Sequence, residues 1–130
     1  MLHATCYMLI NMSTKDQIHL VLFDEKNRID KVYDGRNREL LFSIEDFLVN
    51  QNMNKESIYG VMVVVGVGSF TSTRIACVVA NTFAYVRQIP LLAISVDQVD
   101  KVQELIPELL KQPKGQYISA EYSGEPNIGK

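Results

Sequence analysis

Hydrophobic residues come in short runs at the start of the chain and in spaced stripes further on. That change divides the sequence into elements. ATCYMLIN (4–11) is mostly apolar, which suits a central strand covered on both faces. A polar turn, MSTKD (12–16), separates it from QIHLVLF (17–23). In that run Ile18, Leu20 and Leu22 point one way and His19, Val21 and Phe23 the other, the alternation of a strand. His19 reads as a surface or rim residue rather than a ligand. DEKN (24–27) makes a second tight turn. RIDKVYD (28–34) sets Ile29, Lys31 and Tyr33 against Asp30 and Val32, a weaker pattern suited to a sheet edge. Three strands joined by short turns predict an antiparallel meander.

From about Arg38 to Gln51 the period lengthens. Leu40, Leu41, Ile44, Phe47 and Leu48 share one helical face, while Phe42 and Val49 lie off it. After a loop, NKES (54–57), the run IYGVMVVV (58–65) is apolar apart from Gly60 and predicts a strand buried on both faces. A glycine-bearing junction leads into a second helix, about Thr71 to Arg87. PLLAIS (90–95) is another short strand. VDQVDKVQELIPELL (96–110) predicts an amphipathic helix that Pro107 ends or kinks. Residues 1–110 are read as one domain. Residues 111–130 are read as a loop-rich tail with a short strand at QYISAEY (116–122). The order strand–strand–strand–helix–strand–helix–strand–helix predicts an α/β fold, a mixed five-stranded sheet flanked by helices. This resembles the ribonuclease H-like plan, shared by nucleases and by the actin-like group.

Composition narrows the function. The 130 residues are 47% hydrophobic and 22% charged, ordinary for one globular domain. The net charge is −2 and no Lys/Arg stripe is present, so the chain lacks the footprint of a protein that grips nucleic acid by itself. Cys6 and Cys77 each sit in an apolar run and read as buried reduced thiols. His3 and His19 have no ligand spacing, so no metal is expected. The apolar run from Ala4 to Ile10 is too short to span a membrane and lacks a basic leader. A cytoplasmic protein is expected.

Two loops could hold phosphate. Gly66-Val67-Gly68-Ser69-Phe70-Thr71 follows a strand and opens a helix, where backbone N–H groups and the helix dipole favour an anion. It fails as a dinucleotide fingerprint, because Thr71 stands where the third glycine belongs. It fails as a Walker loop for want of Gly-Lys-Ser/Thr. The simpler reading is a tight turn at Gly68 with Ser69 or Thr71 capping the helix. The second loop is INMSTKD, read as a turn made by Asn11, Ser13 and Thr14. Nuclease chemistry would need clustered carboxylates for two metal ions, and neither ATCYMLIN nor Tyr59–Val65 has any.

Three stretches carry a family resemblance: MLINMSTKDQIHLVLFD, ELLFSIEDFL and VVVGVGSFTSTRIACVVANTFAYVRQIPLLAIS. They resemble the ILAIDTST, HSERLLPLIDELL and GPGSFTGLRIG motifs of the TsaB (YeaZ) family, partner proteins of TsaD in making threonylcarbamoyladenosine on tRNA. KGQYISAEY resembles the strand that opens that family's second domain. The departures are specific. Asn11 stands where the family has Asp, and an amide near Mg²⁺ lacks the needed charge. Val67 replaces Pro, Ser72 replaces Gly, Thr73 replaces Leu, and Arg36-Asn37-Arg38 replaces His-Ser-Glu.

The resemblance therefore implies a non-catalytic, shortened subunit without a bound cofactor. Asn11, Ser13, Thr14, Gly66, Gly68, Ser69 and Thr71 would be remnants of phosphate loops. It implies a TsaD-like partner in a heterodimer, with a TsaE-like ATPase as a further candidate and a homodimer left open. The expected partner surface comprises Phe42 and Val49 on the first helix and Arg74, Cys77, Val78, Asn81 and Tyr85 on the second. Two other functions stay open: a nucleotide-binding phosphotransferase relative, and a self-associating structural protein.

Overall fold

The computed structural model describes residues 5–35, 39–66, 70–115 and 118. Five strands form one sheet: β1 (Cys6–Asn11), β2 (Gln17–Phe23), β3 (Arg28–Asp34), β4 (Ile58–Val64) and β5 (Leu91–Ile94). Their order across the sheet is β3-β2-β1-β4-β5. β1, β2 and β3 pair antiparallel, as the short polar turns between them require. β4 and β5 then join parallel to β1, each after a helix. The weakly patterned β3 lies at the edge, as expected.

Alternation along the strands splits the core in two. Met8, Ile10, Ile18, Leu20, Leu22, Val61 and Val63 face one side. Two helices cover it: α1 (Leu40–Asn50), through Leu40, Ile44, Phe47 and Leu48, and α2 (Phe70–Arg87), through Ala76, Ala80 and Ala84. Tyr7, Leu9, Val21, Phe23, Met62 and Val64 face the other side.

That second side holds a departure from expectation. Residues 96–110 do not form one α-helix. Val96–Leu105 is a 3-10 segment, irregular at Lys101, and only Ile106–Leu110 is α-helical (α3). Pro107 lies in the first turn of α3, where its missing N–H is no loss, so it starts a helix instead of ending one. Val99, Val102, Ile106 and Leu109 pack onto the sheet. Gly60 allows the closeness: a Cβ there would lie 2.7 Å from Leu109 Cδ2 and 3.1 Å from Tyr7 Cδ1.

Both long helices stop without glycine. Asn52 (φ 58°) and Gln88 (φ 55°) take the left-handed conformation just past α1 and α2. The Met53 and Ile89 amides then reach back to the Leu48 and Ala84 carbonyls at 2.8 and 3.0 Å, the bonding of a Schellman motif. Part of the expected tail packs on the domain. Lys114 bridges to Pro90, the Gly115 amide donates to the Ile89 carbonyl at 3.0 Å, and Ile118 is buried in the first core. The strand expected at 116–122 otherwise falls outside the described residues.

Candidate functional site

Among the described residues, the outer surface of α1 and α2 carries most of the exposed large hydrophobic side chains. Six of the ten exposed large hydrophobic side chains among the described residues lie there: Leu41, Phe42, Val49, Val78, Tyr85 and Val86. Phe42 is 70% exposed and Tyr85 67%. A groove of about 500 Å³ runs between the helices, lined by Leu41, Ile44 and Leu48 on one wall and Val78, Phe83 and Val86 on the other. A smaller hollow of about 250 Å³ continues from it past Val49 and Met53. At one end Arg87 is fixed: its guanidinium donates to the carbonyls of Lys55, Glu56 and Ile58 at 3.0, 3.1 and 3.3 Å. That end of the groove is therefore built on a pinned side chain. Such a concentration of apolar surface is unusual on a lone domain.

Of the expected surface residues, Phe42, Val49, Arg74, Val78 and Tyr85 are exposed on these helices. Cys77 and Asn81 are not, and this corrects the expectation for both. Cys77 is 1% exposed and Asn81 6%. Asn81 Nδ2 donates to the Ile118 carbonyl at 2.6 Å, and the Ile118 amide donates to Asn81 Oδ1 at 2.6 Å. The later chain thus covers the flank of α2 on which Asn81 lies. Leu41 departs in the opposite sense: placed on the core stripe of α1 by its spacing, it is 67% exposed because the groove opens beside it. Val86 was missed, although its spacing of eight from Val78 carries the stripe one step further.

The strand-end turn is held by its own side chains. Asn11 is buried, and its Oδ1 accepts from the Ser13 amide at 3.0 Å and from Ser13 Oγ at 2.7 Å. Thr14 contributes a carbonyl that accepts from the Gln17 amide at 3.2 Å. This is the Asx turn that Asn11 and Ser13 predict. Asn11 Nδ2 meets His19 Nδ1 at 3.1 Å, and His19 Nε2 meets Asp30 Oδ2 at 2.7 Å. His19 is thus more than a rim residue, because both its ring nitrogens are engaged. In the second loop, Gly66 has φ 96°, a conformation that favours glycine. Gly68 and Ser69 lie outside the described residues, as does the side chain of Thr71 in the first turn of α2.

Both cysteines are free and buried. Burial, with a smaller push from Asp24, raises the Cys6 thiol to about 11, and burial raises Cys77 as well. They therefore stay protonated and act as small apolar groups. Among the described residues no three or more His, Cys, Asp or Glu side chains are grouped to hold a metal ion. Among the same residues no helix is long and apolar enough to cross a membrane.

A meander of three strands continued by two parallel crossovers, with helices on both faces, defines the ribonuclease H-like, actin-like class. The family model described as TsaD, tRNA N6-adenosine threonylcarbamoyltransferase, matches residues 35–121, about two-thirds of the chain, and the chain belongs to that family. Two solved structures share its fold. One is YeaZ from Pseudomonas aeruginosa, with TM-score 0.63 and 23% identity over 70% of this chain and 44% of that one. The other is an uncharacterized protein with similarity to peptidase YEAZ, also from Pseudomonas aeruginosa, with TM-score 0.63 and 23% identity over 70% and 43%. The chain spans less than half the length of either. No curated protein matches it significantly.

Proposed function

We propose that the chain is a supporting subunit of the system that forms threonylcarbamoyladenosine on tRNA, and that it binds a TsaD-like transferase through the outer face of α1 and α2. The observation that carries this reading is the apolar face itself, Phe42, Val49, Val78 and Tyr85 around an open groove. Membership of the TsaD family supplies the system. Two helices that present apolar stripes can interlock with two more in a four-helix contact, ridges into grooves. The net charge of −2 suits a subunit that leaves tRNA contact to its partner.

Aromatic side chains at the centre of such a contact often carry about 2 kcal/mol or more each. Phe42→Asp and Tyr85→Asp are each expected to abolish co-elution with a TsaD-like transferase on a sizing column. Because both side chains point to solvent in this chain, the circular dichroism spectrum should not change. Variants that unfold would place these residues in the core. Variants that fold and still co-elute would put the contact elsewhere.

A further inference from the structure

We infer that His19 is a proton-sensitive joint, holding the turn after β1 in place only while its ring is neutral and carries its proton on Nε2. The argument starts from a group with no choice. The Ser13 backbone N–H can only donate, and it points at Asn11 Oδ1, 3.0 Å away. That fixes which way round the amide sits, so Nδ2 is the atom turned to His19 Nδ1 at 3.1 Å. Nδ2 can also only donate, so Nδ1 must be bare. The ring proton then belongs on Nε2, where it meets Asp30 Oδ2 at 2.7 Å. Asp30 in turn receives Arg28 Nε at 2.8 Å and Nη2 at 3.0 Å, and Arg28 Nη1 donates to the Val99 carbonyl at 2.8 Å. One connected series of hydrogen bonds thus runs from the turn across β2 and β3 to the 3-10 segment, with Asp30 accepting from both sides.

A second proton on His19 breaks this series at one place. An Nδ1–H would face the Asn11 N–H, donor against donor. Rotating the amide offers no escape, because it would set Nδ2 against the Ser13 N–H. The Asp30 contact survives, so the strain falls on Asn11 and Ser13. The charged groups around the ring are Asp30 and Arg28, with Asp34 on the same face of β3 and Asp100 on the 3-10 segment near Arg28. β1 adds no charge here, since Asn11 is neutral, and the hairpin turn contributes Lys15 and Asp16. Imidazole is the side chain that takes up a proton in mild acid, so acidification should loosen the turn at the carboxyl end of β1, beside that of β4.

The test is nuclear magnetic resonance on the whole chain labelled with nitrogen-15. The ring nitrogen shifts should report the Nε2–H tautomer at neutral pH. On acidification the Ser13 backbone amide and the Asn11 side-chain amide should move with the midpoint of the His19 ring. His19→Gln supplies an acceptor for Asn11 and a donor for Asp30 but cannot titrate, so in that variant both resonances should hold still. An Nδ1–H tautomer would overturn the inference. So would Ser13 and Asn11 resonances that ignore the His19 titration, or a ring that stays neutral down to acid unfolding.

Discussion

Both faces of the sheet bury apolar residues, but the two end differently towards solvent. On one face the 3-10 segment and α3 turn Asp97, Asp100, Lys101, Glu104 and Glu108 outward, and Val99, Val102, Ile106 and Leu109 inward. On that layer the exposed large hydrophobic side chains among the described residues are Val96 and Leu110. On the other face α1 and α2 turn Leu40, Ile44, Phe47, Ala76, Ala80 and Ala84 inward, yet present Leu41, Phe42, Val49, Val78, Tyr85 and Val86 outward. A helix with apolar residues on both its inner and outer sides is built to be covered twice. The difference directs the tests to the outer surface of α1 and α2, where the proposed contact lies.

The sharpest way to break this comparison uses two phenylalanines on one helix. Phe47 is 2% exposed and packs in the first core, so Phe47→Ala should destabilise the chain by about 3–5 kcal/mol. Phe42 lies five residues earlier on the outward side, and Phe42→Ala should stay within about 0.5 kcal/mol. Urea denaturation midpoints measure both. Similar losses in the two variants would mean that the outer face is part of the core and needs no partner.

A smaller effect tests the flank of α2 that the later chain covers. Asn81 makes two buried hydrogen bonds to the Ile118 backbone. Asn81→Ala leaves that carbonyl and amide without this partner, at a cost of about 1–3 kcal/mol. Hydrogen exchange should show the loss at the Ile118 amide first. An unchanged Ile118 amide would mean that the clamp does not hold the later segment.

These residues also mark what was legible in the sequence. The meander, α1, α2 and the edge position of β3 could all be read, because each depends on local period and turn chemistry. The two-sided burial of β1 and of most of β4 follows from their largely apolar runs. Three features could not be read the same way. Helical spacing puts Asn81 on an open face, but its partner is the backbone of residue 118, and no periodicity reports a contact that distant. Strand alternation alone puts His19 at the rim, because its partners come from β1 and β3 by strand register: it pairs directly with Asn11 and with Val32. The 3-10 segment did leave a trace. Val96, Val99, Val102 and Leu105 recur at intervals of three, the period of a 3-10 helix, which an α-helical reading absorbs too easily.

The smallest expected effect concerns the rim where the two faces meet. Asp30 is held below the ordinary carboxylate range, first by its hydrogen bond from Arg28 and then by that from His19, against the opposing pull of its partial burial. A carboxyl whose folded pKa is depressed adds stability at pH values above its unfolded pKa. That stability is lost as pH falls through the folded value. The side chain is 40% exposed, so solvent screening limits the gain, and exposed pairs of this kind contribute about 0.2–1 kcal/mol. Asp30→Asn should therefore lower the urea midpoint slightly at neutral pH and leave it unchanged once the wild-type carboxyl is protonated. The two stability curves should converge on the acid side. Curves that run parallel through the carboxylate range would mean that Asp30 acts through packing and not through its charge.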